Sequence, residues 1–141
     1  NVRNLMARRD YSEDEDYYTQ DFERDGVVSV WLGLTDGSSD SDADVLQDLC
    51  GVGYYNLDDQ ESNNVEFKLV SARELLSTLS FASSFVEAAV AKAAAMGLDQ
   101  ARWVTVQYDF AYSPAKVQRR IAADPVFLGI FEYSAQVQED A

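Results

Sequence analysis

The sequence predicts an α+β fold, a single mixed domain of about four strands with three to four helices packed on the sheet. Four segments are rich in β-branched and aromatic residues, as strands are. Two Ser-x-x-Glu patterns stand before apolar or alanine-rich runs, as at the starts of helices. Hydrophobic residues make up 47% of the chain, so these segments can bury a core.

Charge and composition divide the 141 residues into three parts. Residues 1–26 are predicted to form an acidic N-terminal extension, residues 27–134 an α+β domain, and residues 135–141 a polar C-terminal tail. A run of like charges is usually solvated, although aromatic side chains could dock the extension on the domain. The aromatic residues that follow the acidic run are Tyr17, Tyr18 and Phe22.

The first half of the domain is predicted to contain a strand, a helix and a loop. The strand is predicted at 27–34, and its apolar character on both faces indicates a central strand. A helix is predicted at 42–49, because apolar residues recur at helical spacing and Gly51 is placed to end it. Residues 53–64 are polar and are predicted to form a loop.

Two helices are predicted after a second strand. Alternation of apolar and polar residues predicts that strand at 65–70. Ser71 and Ser84 each stand three residues before a glutamate, the pattern of a capping box. A short helix is therefore predicted after Ser71, and the longest helix, rich in alanine, after Ser84, ending at Gly97.

The clearest strand is predicted at 103–110, and the last at 126–133. Alternation along the first of these places four side chains on one face, those of Val104, Val106, Tyr108 and Phe110. Between the two strands, Pro114 can begin a brief helix through Ile121, because proline is tolerated in a first turn.

The residue types present exclude several kinds of catalytic and metal site. The chain has no histidine, which excludes Ser-His-Asp and Cys-His catalysis. Cys50 is the one cysteine, and its apolar neighbours are typical of a buried hydrophobic residue. Residues 40–44 begin like a calcium loop, but Val45 and Gly51 occupy that loop's glycine and glutamate positions. We expect no metal, no cofactor and no enzymatic activity.

The acidic residues are concentrated in one stretch. The net charge is −14, and residues 10–64 hold 16 of the 25 acids. Such a field repels nucleic acid and anionic membranes, attracts basic surfaces and speeds their encounter. Simple solubility is the competing interpretation. With no apolar leader and no apolar run of about 18 residues, the sequence favours a cytoplasmic protein without a membrane partner.

Two adjacent tyrosines within the acidic stretch predict a binding surface. Tyrosine supplies contact area at small entropic cost, while carboxylates steer a basic partner and pair with its Lys or Arg residues. The alternative is that one of the two rings packs in the core. The predicted partner-binding residues are Asp40, Asp42, Asp44, Asp48, Tyr54, Tyr55, Asp58 and Asp59.

Four segments occur along the chain in a particular order. They are 28–33 with its Trp and Gly, the acidic segment that leads to 53–55, 79–85 with its following helix, and 106–112 followed by 127–133. In this order they resemble the immunity protein 22 family of bacterial polymorphic-toxin systems, over most of residues 27–134. The resemblance implies a protein that binds and neutralises a cognate toxin, by occluding its active site or an adjacent surface.

Charge and resemblance together predict a basic toxin, with nucleases as one candidate class, bound stoichiometrically. Two other functions stay open. An acidic adaptor or nucleic-acid mimic, bound to a host nucleic-acid-binding protein, would explain the charge equally well, and the neighbouring gene would separate the two. A hydrolase based on Asp58, Asp59 and Glu61 would require a concave pocket and a carboxyl of raised pKa.

Overall fold

The computed structural model describes residues 11–35 and 44–134. Its strands and α-helices are β1 (Glu23–Gly33), β2 (Gln60–Asn64), β3 (Val70–Ser71), α1 (Ala72–Ser77), α2 (Val86–Ala95), β4 (Gln100–Ala101), β5 (Trp103–Phe110) and β6 (Val126–Glu132). A π-helical turn spans Val45–Leu49, and 3₁₀ turns span Leu57–Asp59, Ala82–Ser84 and Pro114–Lys116.

Four antiparallel strands form the main sheet in the order β2-β5-β1-β6, and β3 pairs with β4 separately. The predicted single α+β domain is confirmed. β1 is a central strand, as predicted, and its residues from Val27 to Gly33 are all buried. It begins at Glu23 rather than at residue 27, because its polar first residues still belong to the sheet.

One face of the sheet is covered by the two α-helices. The contact is close because small residues of α2, Ala89 and Ala93, are fully buried against it. The larger side chains of this first core come from β1, β5 and α1: Val28, Val30, Leu32, Val104, Val106, Leu75 and Leu76.

The opposite face carries a second core, rich in aromatic residues and covered by irregular segments. Its buried members are Phe22, Trp31, Leu46, Cys50, Val52, Phe110 and Tyr112. The Tyr112 hydroxyl donates to the Cys50 carbonyl at 2.6 Å, which fixes the end of the π-helical turn against the sheet. Cys50 is buried, as predicted, and burial raises the pKa of its thiol. The domain therefore has three layers, with the sheet in the middle.

The side-chain alternation of β5 breaks at Asp109. Its φ of 58° lies in the left-handed region, which Asp tolerates better than most residues. The pairing of β5 with β1 shifts at the same place. Phe110 therefore joins the second core, and the prediction that it shares a face with Tyr108 is wrong.

Within residues 53–70, part of the predicted loop forms a strand, and most of the predicted strand forms a turn. The end of the predicted loop is β2, whose polar residues are held by pairing with β5 at the edge of the sheet. The predicted strand at 65–70 is mostly a turn, because Glu66 and Phe67 both have positive φ. Only its last residue belongs to a strand, β3.

The helix start predicted at Ser71 is confirmed, and the one predicted at Ser84 is wrong. The Ser71 hydroxyl accepts a hydrogen bond from the Glu74 amide at 3.0 Å and caps α1. Ser84 instead lies in a 3₁₀ turn, and its hydroxyl donates to a carbonyl of that turn. α2 then begins at Val86 without a side-chain cap and ends before Gly97, as predicted.

The other two predicted helices are shorter than expected. The helix predicted at 42–49 is the π-helical turn capped by Asp44, while residues 42 and 43 lie outside the described part of the chain. The Cys50 amide, which closes this turn, donates to the carbonyls of both Val45 and Leu46, each at 3.2 Å. The helix predicted from Pro114 to Ile121 is a single 3₁₀ turn. Nowhere in the described ranges is there a helix with the length and apolarity to cross a membrane.

Gly33 lies directly beneath the indole of Trp103. A β-carbon at residue 33 would lie 1.9 Å from Cε2 of that ring, whose Nε1 donates to the Thr35 carbonyl at 2.9 Å. Gly33→Ala should therefore lower the free energy of unfolding by about 1–3 kcal/mol in urea denaturation. In a Trp103→Leu background the same change should cost less, and an equal cost in both backgrounds would contradict this account.

Candidate functional site

One end of the main sheet collects carboxylates from all four strands and their flanking turns. Because neighbouring strands are antiparallel, β1 and β2 begin where β5 and β6 end. These carboxylates, which we call the acidic end, are those of Glu23, Asp25, Asp58, Asp59, Glu61, Asp109 and Glu132. The ion pairs within the described ranges are Lys68–Glu66, Arg73–Glu87, Arg119–Asp14 and Arg119–Asp16. None of them includes a residue of the acidic end.

Asp109 organises the middle of the acidic end. Its carboxylate accepts hydrogen bonds from the Gly26 amide at 3.0 Å and the Tyr133 hydroxyl at 2.8 Å. The pKa of Tyr133 is raised to about 12. Partial burial is the largest cause, and the hydrogen bond to Asp109 and the charges of Asp109, Asp59 and Asp25 add to it. Three carboxylates therefore surround one phenol.

A pocket of about 520 Å³ opens between the acidic end and the helix layer. We call it the ring pocket, because the rings of Phe81, Tyr108 and Tyr133 line it with centroids 4.9 to 5.6 Å apart. Glu61 lies at its wall and accepts hydrogen bonds from the Ser80 amide and hydroxyl and from the Tyr108 hydroxyl. This carboxylate is held in one position.

Asp58, Asp59 and Gln60 complete the lining of the ring pocket, and Nε2 of Gln60 is buried without a hydrogen-bond partner among the described residues. Desolvation raises the pKa of Asp59, and the charges of Asp109 and Asp58 add to the effect. Among the described residues, no hydrogen-bond donor or base contacts the Asp59 carboxylate. The Asp59 carboxylate therefore has no counter-charge among the described residues. The described ranges contain no group of three or more His, Cys, Asp or Glu residues that could hold a metal ion.

Three tyrosines form an exposed patch beside the acidic end. Tyr17, Tyr18 and Tyr54 have ring centroids 4.7 to 6.4 Å apart, and we call them the tyrosine patch. Tyr18 is 74% exposed and Tyr54 48%. They line a groove of about 270 Å³ together with Glu23 of the acidic end, so the patch and the acidic end are continuous.

Comparison with known proteins identifies the family. A model of the Immunity protein 22 family matches residues 7–134. The chain belongs to the Immunity protein 22 family. Immunity proteins of this kind bind and neutralise cognate toxins of polymorphic-toxin systems and are generally not catalysts. No curated protein and no solved structure matches the chain.

The family match includes the segment that carries two rings of the tyrosine patch, residues 11–22. This segment packs on the second core through Phe22 and is anchored by Arg119. The Arg119 guanidinium pairs with Asp14 at 2.6 Å, donates to the Val52 carbonyl at 2.7 Å and lies over the Tyr11 ring at 4.1 Å. In this immunity protein the domain itself therefore fixes the position of the patch.

Three of the residues predicted to bind a partner stabilise the π-helical turn. The Asp44 carboxylate accepts a hydrogen bond from the Tyr55 hydroxyl at 2.7 Å, and burial raises the pKa of both groups. Asp48 accepts from the Tyr11 hydroxyl at 2.7 Å. Tyr55 packs on the second core, so these side chains already have partners inside the domain.

The other predicted residues are divided between the surface and the part not described. Tyr54 and Asp58 are exposed, and Asp59 is half-buried in the ring pocket. Asp40 and Asp42 lie outside the described residues. Sequence reasoning did not select the remaining members of the surface, which include Tyr18, Asp25, Asp109 and Tyr133. The one available signal was the placement of Asp109 opposite to the core face of its strand.

Proposed function

We propose that this immunity protein neutralises its toxin by stoichiometric binding, with the acidic end and the tyrosine patch covering a basic surface of the toxin domain. The gathering of carboxylates without described ion-pair partners beside the exposed rings of Tyr18 and Tyr54 carries the proposal. Carboxylates increase the association rate with a basic surface, and aromatic rings slow dissociation. The family supplies the class of partner, a cognate toxin.

We further propose that the toxin acts on nucleic acid. An enzyme of that class presents Lys and Arg side chains to the phosphates of its substrate. Carboxylates at the acidic end would occupy the positions of those phosphates. The toxin would then be unable to bind its substrate while the complex persists.

The ring pocket also meets both stated requirements of a carboxylate hydrolase, since it is concave, is lined by Asp58, Asp59 and Glu61, and contains a carboxyl, that of Asp59, whose pKa is raised. The second carboxylate, Glu61, accepts hydrogen bonds from Ser80 and Tyr108, so its oxygens already have partners within the domain. The family is generally not catalytic. Binding is therefore the function that these observations favour.

The test is a titration of the purified chain with the toxin domain encoded by the neighbouring gene. We expect a 1:1 complex whose association rate falls steeply as salt rises. Asp25→Asn with Glu132→Gln, two exposed positions of the acidic end outside the ring pocket, should slow association about threefold to tenfold at low salt and leave dissociation unchanged.

The matched control is Glu74→Gln with Asp99→Asn, which removes the same charge from exposed positions on the helix side. Equal slowing by both double variants would show that net charge, not the acidic end, directs association. Absence of any complex, with recovery of a host nucleic-acid-binding protein instead, would favour the acidic mimic.

A further inference from the structure

We propose that the ring pocket receives one arginine side chain of the toxin, with its guanidinium stacked on an aromatic ring and paired with Asp58 and Asp59. This inference rests on the proposed function and assigns a specific chemistry to one part of the interface. It differs from general attraction between charges, because the pocket should distinguish arginine from other cations.

The shape of the ring pocket suits a flat cation on a long side chain. Its volume of about 520 Å³ lies within the usual range of ligand pockets, roughly 300–1,000 Å³. Phe81 packs edge-on against Tyr108, with an interplanar angle of 82°, and Tyr133 is tilted by 36° from Phe81. Tyr108 is buried, so the partly exposed rings of Phe81 and Tyr133 are the ones available to a ligand. A guanidinium is planar and weakly hydrated, so it stacks on such rings more readily than an ammonium does.

Apart from Gln60, whose side-chain amide is a donor with its Nε2 buried, the side-chain hydrogen-bonding groups that line the ring pocket offer acceptors. The Tyr108 hydroxyl donates its proton to Glu61 and the Tyr133 hydroxyl donates to Asp109, so each phenol oxygen keeps only lone pairs to offer. The Ser80 hydroxyl likewise donates to Glu61. A guanidinium has five N–H donors and no acceptor, which makes it complementary to this lining.

The charges of the ring pocket favour a cation. Asp58 and Asp59 are adjacent in a 3₁₀ turn, and no base within the described ranges pairs with either. Desolvation and the neighbouring charges of Asp109 and Asp58 disfavour the ionised form of Asp59 in the free protein. A bound guanidinium would offset that repulsion.

The test uses N-acetyl-arginine methylamide as the probe, titrated into ¹⁵N-labelled protein and followed by NMR. Shifts should be localised at the amides of Asp59, Ser80, Phe81 and Tyr133. The lysine derivative should bind about threefold to fivefold more weakly, because its ammonium stacks poorly. The citrulline derivative, which has the same shape without the charge, should cause no localised shifts.

Two variants link the probe to the pocket. Asp59→Asn and Tyr133→Leu should each weaken arginine binding about fivefold or more. Asp25→Asn is the matched control, since it removes one charge from the acidic end outside the pocket lining. Asp59→Asn should not lower the thermal stability, because the ionised carboxylate is disfavoured in the folded protein.

Three results would overturn the assignment: no localised shifts, citrulline shifts as large as those of arginine, or equal weakening by Asp25→Asn and Asp59→Asn. Toxin binding is measured separately. A toxin complex unaffected by Asp59→Asn and Tyr133→Leu also overturns the pocket assignment, while the proposed function stands. Localised arginine shifts in a protein that does not bind the toxin would overturn the proposed function instead.

Discussion

Replacing Trp31 with alanine should lower the free energy of unfolding by about 3–5 kcal/mol. The side chain is 1% exposed, and its ring lies 5.0 Å from that of Tyr112 and 5.3 Å from that of Phe127, measured between centroids. Its removal leaves a cavity between the sheet and segments without regular structure. The loss is large beside a typical domain stability of about 5–15 kcal/mol.

Urea denaturation measures this loss, and hydrogen exchange locates it. Trp31→Phe keeps a ring in the second core and should cost less than half as much as alanine. Exchange should increase first in residues 11–22, which pack on this core, and later in α1 and α2, which cover the other face. An alanine variant that loses no more than about 0.5 kcal/mol, as an exposed position would, contradicts the described core.

Tyr54→Ala should raise the dissociation rate of the toxin complex about 30-fold, equivalent to about 2 kcal/mol. The Tyr54 ring is 48% exposed and contacts the other rings of the tyrosine patch, so it is available as an anchor. The association rate and the stability of the free protein should change little, since the side chain carries no charge and lies outside both cores.

The adjacent Tyr55 provides the matched control. Tyr55→Phe removes the hydroxyl that donates to Asp44 and should lower the free energy of unfolding by about 1 kcal/mol. Toxin dissociation should be unaffected, because the ring still packs on the second core. Surface plasmon resonance and thermal melts of both variants separate the two roles. Unchanged dissociation after Tyr54→Ala would remove the tyrosine patch from the interface.

The strands with apolar, β-branched sequences could be predicted, and the polar one could not. β1, β5 and β6 are rich in the apolar side chains that fill the two cores. β2 carries only polar residues and is held by its backbone bonds to β5, which no local pattern reveals. Similarly, the positive φ of Asp109 depends on the bonds that its carboxylate makes to Gly26 and Tyr133.

The candidate site was predicted only where its residues are close together in sequence. Tyr54, Asp58 and Asp59 belong to one acidic stretch and were selected from it. Asp109 and Tyr133 join them only because the sheet brings distant segments to the same end. The internal roles of Asp44, Asp48 and Tyr55 depend in the same way on folding, which supplies Asp48 with a hydrogen bond from Tyr11.

The central position of β1 has a consequence for the timing of protection in the cell. A ribosome delivers β1 before both of its neighbours in the sheet, β5 and β6, which follow about 70 to 100 residues later in the chain. Arg119 emerges 105 residues after the Asp14 that it pairs with. Contacts between such distant segments form slowly and cannot form before their later member is synthesised. Neither the acidic end nor the anchored tyrosines can therefore be assembled before β6 has been synthesised, and under the proposed function protection begins only then.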